Sequence, residues 1–207
     1  MNNRRLLLAG LGAASLGAIG AQAGVSEPTR PSGGRQRIPN VELKTHTGKT
    51  VRFYDDLVRG KIVAINMMYA DCEGTCPLTT ANLVRVQELL GAEVGKTIFM
   101  YSITVRPERD TPQDLADYAE MHEVKPGWLF LTGTRESVEQ VRLALGFYDP
   151  DPAVDKEATR HTGMLRIGND PFDRWGMTPA LAAPEQIVRA IQHVDRKLVA
   201  PGSRSSA

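Results

Sequence analysis

Only two cysteines occur in 207 residues. So few thiols exclude a disulfide-built scaffold of the kind small secreted domains rely on. An excess of either charge is missing too. Twenty-five Lys and Arg face 24 Asp and Glu, a formal charge of +1. That balance gives no reason to expect nucleic acid or an anionic membrane face as a partner. There is no internal repeat, and no series of long apolar runs such as a multi-span membrane protein needs. With 42% hydrophobic and 24% charged residues, the chain is an ordinary globular one rather than a disordered one. Its length suits one domain with an added terminal segment.

That segment is residues 1–23. Arg4 and Arg5 form a short positive region, Leu6 to Ala21 is apolar, and Ala21-Gln22-Ala23 has the small-x-small form of a signal-peptidase site. The Arg pair and the Gly-rich stretch point toward the twin-arginine route, with partial agreement at the flanks. The competing reading is an uncleaved anchor in the inner membrane. Four glycines, a Ser and a Gln in and beside the run weaken it as a span. Both readings put the rest of the chain outside the cytoplasmic membrane, in the periplasm. Without residues 1–23, 23 basic residues face 24 acidic ones and the charge becomes −1. In that oxidising compartment two thiols become a disulfide unless a reductant or a metal holds them.

Residues 24–37 are rich in Pro, Gly, Ser and Arg and read as a flexible tether. A domain over 38–199 and a disordered tail over 200–207 complete the organisation. Val41 to His46 and Thr50 to Tyr54 flank a Thr47-Gly48-Lys49 turn and predict a hairpin. Lys61 to Tyr69 is a near-continuous apolar run, as expected of a strand buried on both faces. From Pro77 the period turns helical, with Leu78, Ala81, Leu83, Val86, Leu89 and Leu90 on the apolar stripe and Gly91 at the end. Thr97 to Val105 predicts another buried strand. Thr111-Pro112 opens a helix through Glu123, with Leu115, Ala116, Ala119 and Met121 on its inner face. Trp128 to Leu131 is a strand, Ser137 to Leu145 a helix, and Phe147 to Arg160 irregular. Met164 to Ile167 is a strand, and Pro184 to Val199 a closing amphipathic helix. Alternating strands and helices give the α/β class with a mainly parallel sheet. A hairpin before a strand–Cys loop–helix unit is the layout of a thioredoxin-like domain.

Both cysteines lie in Tyr69-Ala70-Asp71-Cys72-Glu73-Gly74-Thr75-Cys76-Pro77, at the carboxyl end of a strand, where open α/β sheets place ligand sites. The spacing is C-x-x-x-C. With Pro77 as the first helical residue, Cys76 is expected at the helix N-cap, where unpaired N–H groups favour a thiolate. Asp71 and Glu73 oppose that by their charge. Three readings follow. A plain structural disulfide is weak, since closing so short a loop contributes only about 2 kcal/mol. A redox pair is the second, with Cys72 and Cys76 as the reacting groups. The third is a soft-metal site: two thiolates favour Cu(I) or Zn(II), and a neutral imidazole as third ligand would complete a trigonal copper site.

Four histidines could complete such a site. His46 ends the first strand, and His122 and His193 sit on helices among charged neighbours, so all three read as ordinary structural or surface residues. His161 follows the irregular segment and precedes a strand, from which it could reach a neighbouring strand's carboxyl end. Met67 and Met68 lie inside a strand run and read as core. Arg109 and Asp110 precede a Thr-Pro helix start and read as capping chemistry.

Cys72-Glu73-Gly74-Thr75-Cys76-Pro77 after an apolar strand is followed by Arg106-Pro107-Glu108-Arg109-Asp110-Thr111-Pro112, by Leu131-Thr132-Gly133-Thr134 and by the late His161. Over residues 38 to 197 this resembles the Sco (SenC) family. The resemblance implies a thioredoxin-like fold: a mixed central sheet flanked by helices, an N-terminal hairpin, and an insertion before the strand that follows the histidine. It implies copper ligation by Cys72, Cys76 and His161. It also implies a role in assembling the binuclear copper site of cytochrome c oxidase or a related copper enzyme, as copper donor or as reductant of the target's thiols. The partners would then be the copper-bearing oxidase subunit and an upstream thiol reductant. Three positions depart from the family pattern. Glu73 stands where Pro is common, and Arg106 and Arg160 stand where Asp is usual.

Overall fold

The structure is a computed structural model, and it describes residues 37–157 and 163–195. The expected export signal, the tether apart from Arg37, the C-terminal tail, Arg160 and His161 all lie outside the described residues.

The hairpin forms as its turn chemistry predicts. β1 (Glu42–Thr45) pairs antiparallel with β2 (Thr50–Arg52). Gly48 takes a positive φ of 81° in the turn, a conformation open to Gly at little cost. The apolar run becomes β3 (Ile62–Met68), followed by α1 (Thr75–Leu90), β4 (Ile98–Thr104), α2 (Pro112–Met121), β5 (Trp128–Gly133) and α3 (Arg135–Ala144). Then come a short helix α4 (Pro152–Asp155), β6 (Met164–Asn169), β7 (Arg174–Pro179) and α5 (Pro184–Asp195).

The seven strands form one sheet in the order β2-β1-β5-β4-β3-β6-β7. β3 pairs parallel with β4, and β4 with β5, each pair joined through a helix. The other four pairings are antiparallel. The expectation of a mainly parallel sheet is therefore corrected: only the inner three strands are parallel, and the hairpin and the late strands flank them in reverse. This is the mixed, helix-flanked sheet of a thioredoxin-like fold. β3 is buried on both faces because β4 and β6 cover its edges and helices pack over the sheet. Val63, Ile65 and Met67 are fully buried, and Met68 nearly so. The methionines are core, as expected.

β7 escapes a reading of the sequence. Its RWGMTP carries Gly176 in the middle and Pro179 at the end, both poor strand signals except at an edge. Tertiary contact supplies what propensity lacks. Trp175 lies across Gly168 of β6, so close that a Cβ there would meet the indole ring at 2.1 Å. Within Phe147–Arg160 the structure adds α4 to a segment expected to be irregular. Arg142 on α3 ties that stretch down, donating from Nη1 and Nη2 to Asp155 at 2.8 Å and from Nη1 to the Phe147 carbonyl at 2.6 Å.

Two helix faces differ from the apolar stripes. Leu78, Ala81 and Leu89 of α1 are exposed, and Cys76, Thr79, Thr80, Leu83, Val86, Gln87 and Leu90 form the buried side. Polar residues are acceptable there where their groups find partners. Thr80 shares a hydrogen bond with the Tyr118 hydroxyl at 2.9 Å, and Gln87 donates to the Lys125 carbonyl at 2.8 Å while accepting from its N–H at 3.0 Å. On α2, Met121 is 76% exposed rather than inward, and Tyr118 takes the inner face with Leu115 and Ala119. Among the described residues no helix is long and apolar enough to cross a membrane.

Candidate metal and thiol site

Cys72 and Cys76 are unbonded thiols, 7% and 1% exposed, at the carboxyl end of β3 and the start of α1. α1 begins two residues earlier than its sequence predicts. Gly74 is the N-cap, Thr75 the first helical residue and Cys76 the second. Pro77, expected to be first, is third. That costs nothing, because its missing N–H falls among the four at a helix start that have no intrahelical partner.

The Cys76 side chain, the Tyr69 hydroxyl and the backbone N–H groups of Cys76 and Gly74 are the neighbours that favour a Cys72 thiolate. Burial pushes the Cys72 thiol up. Together these neighbouring groups outweigh it, and its pKa falls below the ordinary thiol value. Tyr69 pays the reciprocal cost. Its hydrogen bond to Cys72, with burial, pushes the phenol up to about 12. The sequence puts Cys76 at or near the helix N-cap and leaves open whether the helix start or the Asp71 and Glu73 charges win; in the structure the Cys72 thiol is the one whose pKa is seen to fall. Tyr69 was missed, though its place three residues before Cys72 on an inward-facing strand end was the available signal.

The loop itself is held from a distance in sequence. Asp110 is 3% exposed and accepts from the Ala70 N–H at 3.0 Å and from the Thr104 hydroxyl. The helix cap of α2 is Thr111, in a capping box with Asp114. The expected capping role of Asp110 is thus corrected: it braces the start of the cysteine loop. Burial raises its pKa, opposed by those two hydrogen bonds. Arg109 is no cap either; its Nη1 lies 3.5 Å from Asp71. Arg106, one of the departures from the family pattern, donates from Nη1 to Asp71 at 2.9 Å and stacks its guanidinium 3.9 Å from the Tyr69 ring centroid. The two arginines draw the Asp71 charge away from the thiols. Glu73 is exposed.

The three ordinary histidines separate. His46 accepts the Phe130 N–H on Nδ1 at 3.1 Å and meets the Phe130 ring edge-on. His193 is exposed. His122 stacks on Tyr118, ring centroids 4.3 Å apart, and lines the same groove as Cys72. The structure therefore brings Cys72 and Cys76 together and adds Tyr69, Asp110 and Arg106 around them; His161 lies outside the described residues. Among the described residues no three His, Cys, Asp or Glu side chains form a metal-holding group. Two buried soft donors four residues apart nonetheless suit a soft cation, which needs few ligands and favours thiolates.

Comparison with known proteins agrees with this fold. The SCO1/SenC family model matches residues 31–195. The human mitochondrial SCO1 homolog is 32% identical over 117 residues, 56% of this chain and 38% of that protein. The SCO1 homolog of Bacillus subtilis is 30% identical over 111 residues, 50% of this chain and 56% of that protein. The chain spans between 38% and 63% of the length of the curated relatives it matches. Among solved structures, yeast Sco1 with copper bound superposes with a TM-score of 0.61 at 20% identity, covering 82% of this chain and 99% of that one. Bradyrhizobium japonicum ScoI with copper bound gives 0.59 at 21%, covering 76% and 99%. At such identities these structures establish the fold alone.

Proposed function

The chain belongs to the SCO1/SenC family, and from that premise we propose that it is an exported copper-carrying assembly factor. Copper is its cargo, held by the thiolates of Cys72 and Cys76 and by the imidazole of His161. The recipient is the copper-bearing subunit of a terminal oxidase or a related copper enzyme. The observation that carries the reading is the pair of buried, unbonded thiols at the end of β3 and the start of α1. Copper-bound structures of yeast and Bradyrhizobium relatives support the choice of metal.

The donor arrangement suits handing the metal on. Thiolates and low coordination favour Cu(I) and leave room for an incoming partner thiolate, so the ion can pass by stepwise ligand exchange. Oxidation of Cys72 and Cys76 to a disulfide removes both donors, so the cycle needs an upstream periplasmic thiol reductant. The residues before Gly24 act as an export signal or anchor, placing the domain in the periplasm or against the outer face of the inner membrane.

A second reading is supported by the lowered Cys72 pKa. Such a thiol suits attack on a target's disulfide without stoichiometric copper, and a disulfide switch is named for BsSco, a member of the Sco family. His161→Ala separates the two. The reduced domain, titrated with copper, is expected to take up one ion per chain with sulfur-to-copper charge-transfer absorption. His161→Ala is expected to weaken that binding while leaving thiol–disulfide exchange intact. Equal affinity in wild type and variant removes the three-ligand site.

A further inference from the structure

Beside Cys72 runs an open groove of about 470 Å³. One wall is the Ala70–Cys72 loop with Pro77. The other is the surface of α2 that carries Asp114, Asp117 and Met121. Two features of this groove exceed what holding a metal requires. First, Met121 is 76% exposed at the α2 end of the wall, an apolar side chain that folding leaves in water. Second, the wall is acidic. Among the described residues no ion pair neutralises Asp114 or Asp117. Asp114 accepts from Thr111 and Asp117 from Gln113 at 2.7 Å, both uncharged donors. Arg109, which lines the groove, lies 3.5 Å from Asp71, a carboxylate that Arg106 also pairs with at 2.9 Å, so of the four groove aspartates it is Asp114 and Asp117 that face the groove without a cation among the described residues. His122 adds no positive charge at neutral pH, because burial pushes its pKa below the ordinary value.

We propose that this groove receives a cationic, thiol-bearing segment of the partner protein, laid along α2 so that its sulfur meets Cys72. The proposal rests on the reading of Cys72 as a thiol that exchanges with a partner, and it names the partner's local chemistry. Basic side chains of the segment face Asp114 and Asp117. An apolar side chain covers Met121 and Pro77. The sulfur arrives on the open side of Cys72, the more exposed of the two thiols. Complementary charge of this kind acts on encounter more than on final affinity.

The test uses two short peptides, one with Lys and one with Glu around a single cysteine, each linked through that sulfur to thionitrobenzoate. Reduced protein is mixed with each. The Cys72 thiolate attacks the peptide sulfur, a Cys72–peptide disulfide forms, the bond to thionitrobenzoate breaks, and thionitrobenzoate leaves as its coloured thiolate. At low ionic strength the Lys peptide is expected to react about tenfold faster than the Glu peptide. That ratio falls toward one in about 0.5 M salt, where screening is nearly complete. Asp117→Lys and Met121→Ser, both at exposed positions, are expected to remove most of the preference and slow the Lys peptide respectively. Neither should change the rate with uncharged dithiodipyridine. Equal rates for the two peptides, or a preference that survives Asp117→Lys, overturn the proposal. So does protection of Cys72 that grows with protein concentration, which would make a second copy of the chain the occupant. If copper uptake and the dithiodipyridine reaction are normal while peptide charge is ignored, the groove reading alone fails. If both are absent, the underlying role of the cysteines fails with it.

Discussion

The body of β3 and its carboxyl end are consecutive in sequence and opposite in design. In the body, stability comes from area removed from water. Val63, Ile65 and Met67 are fully buried, and the few polar groups close on themselves. Ser102 Oγ donates to Asn66 Oδ1 at 2.7 Å and accepts from Trp128 Nε1 at 2.9 Å. At the end, two thiols sit under a polar loop fixed from elsewhere by Asp110 from before α2 and Arg106 from after β4, with Tyr69, the residue just past the strand, beside Cys72. Apolar packing is non-directional and tolerates any well-filled core. A reactive sulfur needs specific donors at specific atoms, so its supports are polar and singly replaceable. The contrast predicts that damage to the body lowers stability, whereas damage to the end changes thiol chemistry.

The largest effect is expected in the body. Phe130 is fully buried on β5, stacked with Trp128 and tilted against Tyr118. Phe130→Ala should cost about 3–5 kcal/mol, read by urea denaturation. The molecules that remain folded should alkylate Cys72 with the wild-type pH profile. A shifted profile would show that the two regions are not separable.

Asp110 lies on the boundary and should show both kinds of effect. Asp110→Ala leaves the Ala70 N–H and the Thr104 hydroxyl without their acceptor. The expected loss is about 1–3 kcal/mol, with faster amide exchange at Ala70. Unchanged protection there would mean that the loop is braced by something other than this carboxylate.

The smallest stability change and the clearest chemical one are expected for Tyr69→Phe. It removes a single donor to Cys72, so the thiol pKa should rise toward its ordinary value. In the wild type a depressed pKa favours the folded state at high pH. That contribution is full above the unfolded thiol's pKa and is lost as the pH falls through the folded one. Tyr69→Phe should narrow this window and move the alkylation midpoint to higher pH, with a stability change of about 1 kcal/mol or less. An unmoved midpoint would mean that the backbone N–H groups alone set the thiol's acidity.

Much of this was legible in the residues. The apolar run of β3, the Gly48 turn, the Thr-Pro start of α2 and the cysteine pair all carry strong local signals, and each formed where expected. The errors share a cause. Leu78, Leu89 and Met121 were assigned to the core because apolar residues are counted inward, yet which face of a helix is buried depends on what packs against it. Thr80 and Gln87 took such places because Tyr118 and Lys125 could satisfy them. β7 was missed because its strand character comes from Trp175 against Gly168, a contact between strands. Asp110 looked like a cap because its partner, Ala70, is 40 residues away.

The sequence by itself determined the alternation of strands and helices, the placement of two thiols between a buried strand and a helix, and the resemblance that added His161 to them. These are local patterns, set by side-chain period, turn residues and spacing, and they survive without knowledge of the rest of the chain. Tertiary structure alone decided that the outer strands run antiparallel, that Tyr69 and the N–H groups of Gly74 and Cys76 gather at the Cys72 thiol, and that Arg106 and Arg109 turn toward Asp71. Each of these depends on atoms brought together from distant parts of the chain, where geometry, and no longer spacing, fixes which donor reaches which acceptor.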